Sequence, residues 1–126
     1  MELTGYQYVV LRCVPRVERE EFVNVAVVLY CQRADFLGTA HRVDEDRLRA
    51  LAPEADPASV RDAVETVARV CRGETGAGLP ELDGLGRRFG WIAAPRSTVV
   101  QPGPVHGGLT SDPAAELARL LDRLVN

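Results

Sequence analysis

Arg12, Glu21, Asn24, Arg96, Ser97, Gln101 and His106 are the polar residues whose types and neighbourhoods could build a site in this chain. If they met, His106 would serve as a general base and Ser97 as a nucleophile or phosphate contact. Arg96 would clamp an anion, and Glu21 would orient the histidine. The spacing does not enforce that meeting. Ser97 stands outside any Gly-x-Ser-x-Gly elbow, and His106 ends the Pro/Gly-rich stretch that begins at Gln101, where an exposed histidine is commonplace. The balance therefore leans away from an enzyme. His41 and His106 belong to no HxH or HExxH pattern, and the acidic pairs Asp44/Asp46 and Glu54/Asp56 suit helix starts, so no metal or other cofactor is expected. The glycine-rich stretch from Gly73 to Gly78 lacks the Lys-Ser/Thr of a phosphate-binding loop and follows a helix, so it is expected to be a connector.

The elements that must position these residues start with Phe22 to Cys31, the most β-prone run of the chain. Strict alternation places Val23, Val25, Val27, Leu29 and Cys31 on one face and Phe22, Asn24, Ala26, Val28 and Tyr30 on the other. A buried amide such as Asn24 needs hydrogen-bond partners, so it either staples a neighbouring segment or faces a ligand. Tyr6 to Val14 is a second strand, and the short charged link after Pro15 makes the two an antiparallel hairpin, with Arg12 on the face of Asn24. Phe36 to Val43 is a weaker third strand, in which Gly38 marks a bulge or a close backbone approach. Ser97 to Gln101 supplies a short edge strand between prolines.

From Asp44 the period changes to that of helices. Asp44 caps a short helix that Pro53 stops, and Asp56-Pro57 opens the best helix, with Val60, Val64, Val67 and Val70 on one side. Pro80 to Trp91 is helix-like despite Gly84 and Gly86, and Asp112-Pro113 opens a closing helix carrying Leu117, Leu120, Leu121 and Leu124. The expected fold is one α+β domain over residues 1–126. Its antiparallel sheet has three to four strands and is packed on one face by two main helices, at 57–72 and 112–125, as a two-layer sandwich. The other face, with Tyr6, Tyr8, Arg12, Asn24 and Tyr30, is left for the 73–96 segment, a partner or a ligand.

Composition bounds the partners. A net charge of −3 and a pI near 5.4 argue against a nucleic-acid binder, which needs a basic surface; Arg87-Arg88 near Phe89 and Trp91 is the one local exception. Cys13, Cys31 and Cys71 sit in apolar periodic runs without CxxC spacing, as buried reduced thiols do, which points to a cytoplasmic protein. The start of the chain has neither a basic n-region nor an apolar h-region, and no run approaches the ~20 apolar residues of a membrane span.

Tyr6-x-Tyr8-Val9-Val10-Leu11-Arg12 with Pro15, Glu21-x-x-Asn24-Val25-Ala26-Val27-Val28-Leu29, and Pro95-Arg96-Ser97 through Asp112-Pro113 with its leucine-rich end carry a resemblance over nearly the whole chain. It resembles domain of unknown function family 3037, a bacterial family of short proteins whose pattern has glycine where Ala26 stands. Neighbouring genes of that family imply an accessory or antidote-like relation to kinase-like proteins of the HipA type. Two functions are therefore expected to compete. One is a non-catalytic protein–protein interaction module that uses Tyr6, Tyr8, Arg12 and Asn24 and the Arg96 to His106 segment, with a homo-oligomer also compatible. The other is a small enzyme or ligand-binding protein for an anionic or phosphorylated molecule, using Arg12, Arg96, Ser97 and His106.

Overall fold

Residues 2–96 and 98–125 are described by the computed structural model of the chain. Strand β1 (Thr4–Cys13) and strand β2 (Val23–Cys31) pair antiparallel across a connection that contains a single 3-10 turn at Val17–Arg19. Strand β3 (Phe36–His41) returns along β2 after a tight turn in which Asp35 takes a left-handed φ of 51°. Two short strands, β4 (Val100–Pro102) and β5 (His106–Thr110), then share the other edge of β1. β4 pairs with Leu11 to Cys13 and β5 with Thr4 to Tyr8, so they act as one edge strand interrupted at Gly103-Pro104-Val105. Among the described residues the sheet has five strands, all antiparallel, in the order β3-β2-β1 with β4 and β5 at the end.

Three helices begin at an aspartate cap, as their sequences demand. Asp44 accepts from the backbone of Asp46 and Arg47 at the start of α1 (Glu45–Leu51). Asp56 accepts from Ala58 N–H and precedes Pro57 in α2 (Pro57–Cys71), and Asp112 accepts from Ala115 N–H and precedes Pro113 in α4 (Pro113–Leu124). Helix α3 (Leu85–Ala93) starts at Gly84 without a side-chain cap, and its glycines delay its start relative to the expected Pro80.

One irregularity decides which residues face which helix. The register between β1 and β2 slips between Leu11 and Arg12: Leu11 lies opposite Ala26, and Arg12 lies opposite Asn24. Val25 is the extra residue of a bulge on β2, so side chains on either side of it lose strict alternation. Val25, Ala26 and Val28 pack with Val9, Leu11, Val60, Val64 and Ile92, whereas Val27, Leu29 and Cys31 pack with Tyr6, Leu117 and Leu120. Both clusters are almost wholly buried; a buried valine or leucine contributes roughly 1.5–3 kcal/mol.

The antiparallel α+β class is the one expected, with one strand more than the larger expected number. The distribution of helices differs. α1, α2 and α3 cover one face of the sheet, and α4 alone covers the other, because the bulge divides the valines of β2 between the two sides. Tyr30 accordingly stands on the α3 face, stacked on Phe89 at 5.5 Å between ring centres, and does not share a face with Asn24. Gly38 is a place of close approach, since a Cβ there would stand 3.2 Å from the Leu117 side chain of α4. No helix among the described residues is long and apolar enough to cross a membrane.

Candidate functional site

Helix α4 does not cover its whole face. Its first turn is fixed to β1 by the Tyr6 hydroxyl, which donates to Glu116, while Arg119 donates to both oxygens of the same carboxylate. Its last turn is fixed to β2 and to the residue after β3: Asn24 Nδ2 donates to Leu124 O at 3.0 Å, and Arg42 donates to Val125 O at 2.9 Å and to Asp122 at 3.0 Å. The helix is thus tied near the ends of β1 and β2 and leaves a strip of β1 open beside it, formed by the half-buried Tyr8, Val10 and Arg12. Tyr6, at the near end of that row, is buried beneath α4. Burial and then the Glu116 bond push its phenol up to about 12.

Register then brings several of the polar residues together. Arg12 lies opposite Asn24 on one side and Gln101 on the other, so the three form a row across β2, β1 and β4. Tyr8 lies opposite His106, and the two rings stack at 5.3 Å. The Arg12 guanidinium sits 4.1 Å from the ring centre of Phe22, which is 45% exposed. Gly103 gives the guanidinium its room, because a Cβ there would collide with its terminal nitrogen. Arg12 Nε is buried and has no hydrogen-bond partner among the described residues. Such a donor is costly to leave unpaired, and here it stands beside an exposed aromatic ring.

Other expected site residues lie elsewhere. Arg96 is on the α2 side of the sheet, 4.4 Å from the ring centre of Trp91 and donating to Trp91 O. It lines a groove of about 490 Å3 between α2 and β4, whose walls include Val60, Val67, Val99 and Val100 and also the carboxylates Glu54 and Asp56. Glu21 is an exposed partner of Arg19 at 2.5 Å, and that bond lowers its carboxyl below the ordinary range. Ser97 lies outside the described residues. His106 and Arg96 occupy opposite sides of the sheet, so the general-base and anion-clamp roles are not assembled around one substrate here. Among the described residues no group of three or more His, Cys, Asp or Glu side chains is placed to hold a metal ion.

Asn24 turns out to be a staple of α4, one of the two roles open to it in the sequence. Phe22, Val10 and Gly103 belong to the strip without having been singled out. Phe22 was legible, since it stands two residues before Asn24, just ahead of β2; Gly103 was not, because its role depends on a pairing between distant segments. Burial raises Cys71 to about 11 and raises Cys13 as well, and Cys13, Cys31 and Cys71 are all free and buried. A family model described as Protein of unknown function (DUF3037) matches residues 8–125. No curated protein and no solved structure matches the chain.

Proposed function

We propose, from the premise that the chain belongs to the DUF3037 family, that it is a non-catalytic interaction module which binds a protein partner through the open strip of β1. The observation that carries this reading is the Arg12 guanidinium held over the exposed ring of Phe22. An arginine held over an aromatic ring, flanked by tyrosine, valine and amide side chains, has the composition of an interface centre. A partner carboxylate would pair with the half-buried guanidinium of Arg12, and Phe22 and Tyr8 would lose their water. The family resemblance makes a kinase-like protein of the HipA type the first partner to test. The reduced, buried cysteines agree with a bacterial cytoplasm as the compartment.

Co-purification from the host tests the reading directly. Wild type is expected to retain a stoichiometric partner that Arg12→Ala and Tyr8→Ala release, while Arg96→Ala keeps it. Retention by both strip variants refutes the proposal.

A second reading rests on the α2 groove. Among the described residues Arg96 has no carboxylate partner, and the groove walls are mostly apolar; of the two carboxylates that also line it, Glu54 is paired with Arg16 and Asp56 caps α2, which leaves Arg96 for the anionic head of a small molecule with an apolar body. Phosphate-containing ligands should then raise the melting temperature of wild type and not of Arg96→Ala. A shift equal in both proteins removes this reading.

A further inference from the structure

The outer edge of β5 has no strand beside it among the described residues. Exposed edges are ordinarily guarded by a charge, a proline or a bulge. Here no Asp, Glu, Lys or Arg occurs from Val99 to Ser111, and the prolines at 102 and 104 precede β5, leaving His106 to Thr110 unguarded. Leu109 is 66% exposed and Val105 46% exposed on this border.

The two glycines of β5 differ in a way that bears on this edge. Gly108 is required by the monomer, because a Cβ there would stand 2.6 Å from the Tyr6 ring. Gly107 is not. A Cβ there would find only Tyr6 O, at 3.4 Å, which is ordinary contact, and its φ is not in the left-handed region. Glycine in a strand carries an entropic cost and offers no side chain to pack, so the fold of one copy gives no reason for it.

We propose that β5 pairs antiparallel with β5 of a second copy of this chain about a two-fold axis through Gly107, joining the two sheets into one. Directly opposed residues on antiparallel strands share a face. The axis therefore sets Leu109 against Val105 of the second copy, and the reverse, on the face away from α4. His106 falls opposite Gly108 of the second copy on the other face. With no side chain at the axis itself, the two leucine–valine pairs close toward each other over Gly107. The second copy is favoured over a foreign strand because the pairing is self-complementary: an uncharged edge meets its own sequence with no like charges opposed. An axis normal to the sheet also leaves both open β1 strips facing the same way.

An edge of this length makes a small interface, below the ~1,200 Å2 typical of weak and transient complexes, so the dimer is read at high concentration. Sedimentation from about 10 µM to 1 mM should show a reversible monomer–dimer equilibrium, and Leu109→Lys should weaken it by at least ~10-fold. Gly107→Cys should cross-link to itself under oxidised glutathione, since opposed Cα atoms at ~4.5–5.5 Å suit a disulfide. Gly90→Cys, on the exposed side of α3 with open space around it, is the control and should remain uncrosslinked. A chain that stays monomeric to ~1 mM, a dimer unaffected by Leu109→Lys, or equal cross-linking at positions 107 and 90 overturns the proposal. None of these variants touches Arg12 or Tyr8, so partner binding can survive or fail independently.

Discussion

Replacing Glu116 with glutamine removes the charge from the junction that fixes the first turn of α4. The Glu116 side chain is only 12% exposed, but that of Arg119 is 49% exposed, so solvent screens much of their attraction. The Arg119 hydrogen bonds, and then that of Tyr6, hold the carboxyl down from 4.5 to about 2. Taken whole, that displacement would be worth about 3 kcal/mol; discounted for screening, it amounts to about 1–2 kcal/mol. Because the folded value lies below the unfolded one, the stabilisation is fully present above pH 4.5 and is lost as pH falls from there toward 2. Urea unfolding of wild type and Glu116→Gln should therefore differ by about 1–2 kcal/mol at pH 7, with a melting temperature about 3–8 °C lower for the variant. At pH 3 the difference should shrink to about half or less. A deficit that is the same at pH 7 and pH 3 would refute the electrostatic account and leave only a packing effect.

Asn24→Ala should cost about 1–2 kcal/mol in chemical unfolding, since it strands the Leu124 carbonyl at the end of α4; unchanged stability would return Asn24 to the list of ligand contacts. Gly108→Ala should destabilise by about 1–3 kcal/mol, because its Cβ would collide with the Tyr6 ring, whereas Gly107→Ala should lie within about 1 kcal/mol of wild type. Circular-dichroism melts of the pair check both. Cys71, with its thiol near 11, should resist alkylation of the native protein at pH 8 and react only after unfolding, as read by mass spectrometry.

Much of the fold was legible because local chemistry specified it. Asp44, Asp56 and Asp112 announce three helices through caps that the structure contains, and the hairpin put Arg12 and Asn24 on one face, as the register does. The failures share a physical origin in pairings between distant segments. Strict alternation carried Val25 and Val27 to the same side, and nothing local to β2 reveals the bulge that separates them. β5 was missed because Gly107-Gly108 has low strand propensity by itself; its place is set by Tyr6, a hundred residues away, folding over Gly108. Of the candidate residues, Arg12, Asn24, Gln101 and His106 fell on one face because they lie on β1, β2, β4 and β5 in register, while Arg96 followed α3 to the other face.

That α4 alone covers one face has a consequence for the order in which the chain is made. Val27, Leu29 and Cys31 are synthesised roughly 90 residues before the leucines that bury them, which at ~5–20 residues per second leaves this face uncovered for about 5–20 s. The other face begins to close much sooner, once α1 and α2 emerge. A nascent chain halted before Asp112 should therefore present a half-clothed sheet to ribosome-associated chaperones. Photo-cross-linking from Leu29 should detect that contact, and should lose it once α4 has cleared the exit tunnel.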